Sequence, residues 1–191
     1  MASPFGLYVQ LGFEHISDVE GLDHILFITT LAAAYQWQEW KRIIILVTAF
    51  TVGHSLTLAL SAFDVLRIDA DLVELLIPIT IMITALSNIL VKNSQRNHLI
   101  NYLFALFFGL IHGMGFSNFF RALQSSDDSI VTPLFGFNIG LEIGQLLIVA
   151  IFFTLYFLLD KWIGIKHRDW RLVLSGIGAG AALMILVEQL I

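Results

Sequence analysis

Cysteine is absent from this 191-residue chain. No disulfide framework can form, and no thiolate exists for metal binding or nucleophilic chemistry. Charge is scarce as well. Asp, Glu, Lys and Arg make up 13% of the residues, against roughly 25% in soluble proteins, while hydrophobic residues reach 58%. That balance excludes a soluble enzyme, a disordered regulator and a secreted disulfide scaffold. The net charge is −5 with no run of like charges, so the basic patch that nucleic-acid binding needs is missing. Residues 1–11 carry no positive region, which argues against a signal peptide. No Walker loop, GxSxG elbow, HExxH helix or Rossmann glycine fingerprint occurs.

What the chain has in abundance is long apolar runs. A helical span needs about 20 mostly apolar residues. Six segments meet that requirement: 21–38, 42–63, 71–91, 98–121, 132–160 and 169–190. They are unbroken runs without period-2 alternation, so a barrel is excluded. Residues 5–16 are apolar but too short to span, and read as an interfacial or re-entrant helix within residues 1–20. The expected fold class is therefore all-α. It is a polytopic transmembrane bundle of six spans plus that short N-terminal helix, in one integral membrane domain over 1–191.

The basic residues set the orientation. Lys41, Arg42, Lys92, Arg96, Lys161, Lys166, Arg168 and Arg171 fall in the loops after the first, third and fifth spans. Only Arg67 and Arg121 fall on the other side. The positive-inside rule then turns both termini outward, to the periplasm of a bacterial inner membrane. Trp37, Trp40, Trp162 and Trp170 cluster at the inner ends, as an aromatic belt does. On this orientation His15, Asp23, His24, His54, Glu74, His112, Asn138, Glu142, Gln145 and Glu188 all come to the outer half of the bilayer. Glu14, Asp18 and Glu20 precede the first span on the same side. The inner half is almost free of ligand-type side chains.

A charge at the bilayer centre costs about 2.5–3.5 kcal/mol on insertion scales. A bound cation compensates carboxylates and neutral imidazoles together; interhelical hydrogen bonds that merely hold the bundle are the plainer alternative. Asp23-His24 heads the first span. Neighbouring helical side chains diverge by about 100°, so His24 is expected to ligate while Asp23 either ligates or orients a histidine. His54 lies in Thr-Val-Gly-His-Ser-Leu-Thr (51–57), and His112 in Gly-Leu-Ile-His-Gly-Met-Gly-Phe (109–116). In both, small residues permit close helix approach. Met114 reads as filler. Gly136, Gly140 and Gly144 form one stripe of the fifth span, about 165° from the stripe of Asn138, Glu142 and Gln145. The glycine face should pack on a neighbour and equally suits a homo-oligomer interface. Glu142 is the best carboxylate ligand candidate. Pro78 frees the carbonyl of Glu74. Thr80, Thr84 and Asn88 give the third span a polar track. His98 and His167 read as solvated loop residues, as do Asp127 and Asp128. Imidazole with carboxylate suits nickel or zinc, with iron or copper(II) as further divalent ions, and argues against a thiolate-type copper(I) site.

Four blocks together resemble the HupE/UreJ family, in its second branch. They are His15 with Asp23-His24-Ile-Leu-Phe, Thr48-Ala-Phe-Thr-Val-Gly-His54-Ser-Leu-Thr, Gly109-Leu-Ile-His112-Gly-Met-Gly-Phe, and Phe137-Asn-Ile-Gly-Leu-Glu142-Ile-Gly-Gln145. They occur in order over almost the whole chain. The resemblance implies a bacterial integral membrane protein of the nickel-permease type, with His15, Asp23, His24 and His112 handling the metal. The first functional expectation is thus a divalent-cation permease with His15, Asp23, His24, His54, His112 and Glu142 at an outer site. A second is an intramembrane zinc-type hydrolase with His24, His54 and His112 as ligands and Asp23 or Glu142 as general base. A third is a structural or sensor metal site.

Overall fold

A computed structural model describes residues 4–19, 21–91, 97–123 and 130–190, with side chains described outside Pro4 and 117–123. Glu20, Lys92, Arg96, Asp127 and Asp128 lie outside the described residues, and so does the side chain of Arg121. The described chain is all-α. Its helices are α1 (Pro4–Ser17), α2 (Asp23–Ala32), α3 (Trp40–Ala62), α4 (Ala70–Leu90), α5 (His98–Leu123), α6 (Val131–Ile163) and α7 (His167–Leu190). Five of them, α3 to α7, are long and apolar enough to cross a membrane. Their outward faces carry exposed Leu, Ile, Val and Phe, as contact with lipid tails requires.

The first expected span, 21–38, is α-helical only over the ten residues of α2, with a 3₁₀ turn at Trp37–Glu39. Ten residues rise about 15 Å, half the hydrocarbon thickness. Broken backbone at such depth is tolerated where protein surrounds it, and α2 is surrounded. Phe27 is fully buried, with its ring 5.1 Å from Phe50 of α3 and 5.7 Å from Phe108 of α5. Asn88 of α4 donates to the Thr30 carbonyl in the last turn at 2.6 Å, and Gly178 of α7 makes room for the Thr30 hydroxyl.

Glycines dictate the closest helix pairs. A Cβ at Gly53 would meet the backbone of Leu106, one at Gly109 that of Phe50, and one at Gly113 that of His54. So α3 and α5 run parallel in backbone contact. The Gly136–Gly140–Gly144 stripe of α6 packs on Phe5, Val9 and Ile16 of α1, also in parallel, while Gly12 of α1 receives the Phe137 carbonyl. These glycine faces are therefore filled from within the chain and are not open to a second copy. Pro78 lies inside α4, and the Glu74 carbonyl accepts from Gln189 Nε2 of α7 at 2.9 Å. Asp69 caps α4 through Leu72 N–H. Gly164 ends α6 in the left-handed region at φ 65°.

Two expectations at the basic end are corrected. Trp170 is buried, not in an interfacial belt, because it packs on Phe152 and Tyr156. His98 and His167 are half-buried around Tyr35. His167 Nε2 donates to the Tyr35 carbonyl at 2.9 Å, and the His98 ring lies 6.2 Å from the Tyr35 ring.

Candidate metal centre

Four histidines from four helices converge. His15 comes from the last turn of α1, His24 from the first turn of α2, His54 from α3 and His112 from α5. Ring centroids are 4.6 Å apart for His15 and His24, 5.6 Å for His15 and His54, 6.1 Å for His24 and His54, and 5.0 Å for His24 and His112. The tight α1–α6 and α3–α5 glycine contacts bring these rings together, since each fixes a helix at backbone distance. Among the described residues two ligand sets result, sharing His24: His15, His24 and His54, and Asp23, His24 and His112. Within each, one ligand atom per residue lies within 4.8 Å of the others. A bound ion with nitrogen bonds near 2.0–2.1 Å would draw such atoms to about 3–4 Å, which a small contraction supplies.

Each residue's bonding shows what it has left to offer. Asp23 stands at the helix start, where its carboxylate accepts from its neighbour's backbone N–H (His24) at 2.8 Å and lies 3.2 Å from His24 Nδ1. Being the first helical residue, it can turn back onto His24, so adjacent positions reach one place. His24 Nε2 has no protein partner. His54 is fully buried with neither ring nitrogen partnered. The Thr80 hydroxyl donates to the Ile77 carbonyl at 2.7 Å, and its oxygen lies 3.2 Å from His112 Nε2. That arrangement puts the imidazole proton on Nε2 and the lone pair on Nδ1, which is buried and unpartnered. His15 Nε2 is likewise unpartnered.

Buried polar atoms ordinarily find hydrogen bonds. Five imidazole nitrogens without one, beside a carboxylate, form a donor set that suits a divalent transition metal. Aromatic rings wall it: Phe116 lies 4.0 Å from His15, Phe137 stacks on His54 at 6.0 Å, and Phe27 and Phe50 lie 5.2 and 5.3 Å from His112. On one side an open cleft of about 450 Å³ reaches His15, lined also by Glu14, Asp18, Ser17 and Phe116.

The remaining candidates lie elsewhere. Glu142 accepts from the Thr48 hydroxyl at 2.6 Å, and Gln145 from the Thr51 hydroxyl at 2.8 Å. Both tie α6 to α3, and Glu142 belongs to neither ligand set. Thr48 is the partner that sequence reasoning missed; its three-residue spacing from Thr51 matches that of Glu142 from Gln145 and was the available signal. Glu74 is exposed. Met114 lines an apolar crevice among α3, α4 and α5.

The family profile described as HupE / UreJ protein matches residues 1–189 of the chain. No curated protein and no solved structure matches it.

Proposed function

The chain thus belongs to the HupE/UreJ family, a nickel/cobalt permease-like family of membrane proteins, and from that premise we propose that it carries a divalent transition-metal ion across the membrane through the histidine cluster. The observation behind this reading is the set of buried, unpartnered imidazole nitrogens beside an acid-lined cleft. Glu14 and Asp18 in the cleft raise the local cation concentration. His15 at its base takes the ion first. His24, His54, His112 and Asp23 then replace its water shell, and nickel is the preferred cargo, with cobalt next. Nitrogen donors bind such ions far better than they bind magnesium or calcium. Glu142 serves as the anchor of α6 on α3. In this reading α1 and α2 in succession make the sixth crossing, the termini face the periplasm, and the cleft opens on that side.

Reconstituted liposomes with a nickel-quenched dye inside test it. Wild-type protein should take up Ni²⁺, and His54→Ala and His112→Ala should lose both uptake and bound metal. Elemental mass spectrometry before and after chelator gives the occupancy. Stoichiometric metal that resists chelation, with no uptake, would replace transport by a catalytic or structural site.

A further inference from the structure

A transporter needs a way out of its binding site, and the structure holds a buried polar face that starts at His112. Thr80, Thr84 and Asn88 stand at every fourth residue of α4, so they share one face. All three are buried, at 2%, 7% and 2% exposure. Thr80 touches His112 Nε2, and the Thr84 hydroxyl donates to the Thr80 carbonyl at 2.8 Å. Because both hydroxyl protons are spent on backbone carbonyls, what the two side chains have left to offer is oxygen lone pairs. Past Thr84 lies a partly open pocket of about 40 Å³, lined by Thr84, Ser87, Asn88, Tyr35 and Asn101, with exposed Ile83 and Phe104 among its apolar walls. Its far wall is polar too: Asn101 Nδ2 donates to the Tyr35 hydroxyl at 2.7 Å. Asn88 closes the near side by donating to the Thr30 carbonyl.

We propose that the Thr80–Thr84–Asn88 face of α4 is the exit path by which the metal ion leaves the histidine cluster, passing into the pocket beside Tyr35 and Asn101. The inference rests on the permease reading above. The chemistry runs downhill in ligand strength. Imidazole and carboxylate hold a nickel-type ion tightly, whereas neutral hydroxyl and amide oxygens hold it weakly. Conduction requires stations of that kind, strong enough to replace water and weak enough to release. Hydroxyls on an otherwise apolar span also replace hydration where lipid cannot. A hydrogen-bonded seam that only fastened α4 to α2 and α5 would not need a pocket along it.

The test measures Ni²⁺ uptake into proteoliposomes and equilibrium Ni²⁺ binding in parallel, for wild type, Thr84→Val and Asn88→Leu. The expected result is binding within about twofold of wild type with uptake reduced about tenfold or more, since release and not capture is impaired. Uptake equal to wild type in both variants would overturn the exit path and leave the permease standing. Loss of binding together with uptake would assign the face a structural role and overturn it as well. A wild-type protein that binds Ni²⁺ without uptake would remove the permease reading and the exit path with it. Because the chain has no cysteine, single thiols give an independent readout. Thr84→Cys and Asn88→Cys should react with a cationic methanethiosulfonate and be protected by Ni²⁺, while Leu86→Cys, on the exposed face, should not. Unreactive thiols at both positions 84 and 88 would refute the path.

Discussion

Replacing His54 by leucine should raise the stability of the metal-free protein and abolish its response to metal. The imidazole is fully buried, and neither nitrogen has a protein partner. Leaving a buried polar group unsatisfied costs about 1–3 kcal/mol. Leucine removes that cost and loses the stacking on Phe137 at 6.0 Å, worth about 0.5–1.5 kcal/mol. The net expected gain is about 1 kcal/mol, or roughly 2–4 °C in melting temperature for a chain of this size. Metal reverses the order. At 100 times its dissociation constant a ligand stabilises by about 2.7 kcal/mol; if losing one imidazole weakens binding about 100-fold, the variant gains only about 0.4 kcal/mol. Thermal unfolding in detergent, followed by circular dichroism with and without Ni²⁺, reads both numbers. The variant should melt above wild type in chelator and below it in Ni²⁺. A variant that melts lower in chelator, or one that keeps the full metal-induced shift, refutes the assignment of His54 as an uncompensated ligand.

Three further expectations follow from the same geometry. Gly140→Val places bulk against the Val9 carbonyl, so α1 should lift from α6 and carry His15 away. Overpacking of this kind costs about 1–3 kcal/mol, and Ni²⁺ titration should show weakened binding, whereas Gly176→Val, in open space, should leave it intact. Glu142→Gln keeps a hydrogen-bond acceptor for Thr48, so Ni²⁺ affinity should change by less than about threefold; a loss comparable to that of His54→Leu would make Glu142 a ligand after all. Mg²⁺ at millimolar concentration should neither raise the melting temperature nor displace Ni²⁺, since hard cations select oxygen donors. Thermal shift and competition titration check this, and equal stabilisation by the two ions would contradict an imidazole site.

Residue by residue, the legible part of the site was its ligand chemistry. His24, His54 and His112 were expected at one depth because apolar runs and basic loops define depth along each span. That argument suits a side chain inside a long helix, as those of His54 and His112 are. It worked less well at the N-terminus, where His15 precedes the spans and its position depends on how α1 lies. The glycine stripe of α6 announced a close neighbour, but Gly136, Gly140 and Gly144 do not say whether that neighbour is another subunit or α1. For Glu142, type and depth matched a ligand, yet its direction was set by Thr48 across the α3–α6 contact, which no local pattern encodes. The basic end misled for a related reason. His98, His167 and Trp170 look like interfacial residues by position, and only the packing around Tyr35, Phe152 and Tyr156 reveals that they turn inward.

Composition alone determined that this chain is a helical membrane protein without thiol chemistry, because the cost of placing backbone and charge in lipid leaves few alternatives. Its motifs determined which nitrogen and oxygen donors were present and near which depth. Tertiary structure decided which of them meet. It made α2 a buried half-length helix, not a lipid-facing span, docked α1 on the glycine face, and aimed four imidazoles at one another while turning Glu142 aside. Side-chain direction between helices is fixed by rotation and crossing of elements far apart in sequence. That information resides in the packing of α1 on α6 and α3 on α5, not in any segment by itself.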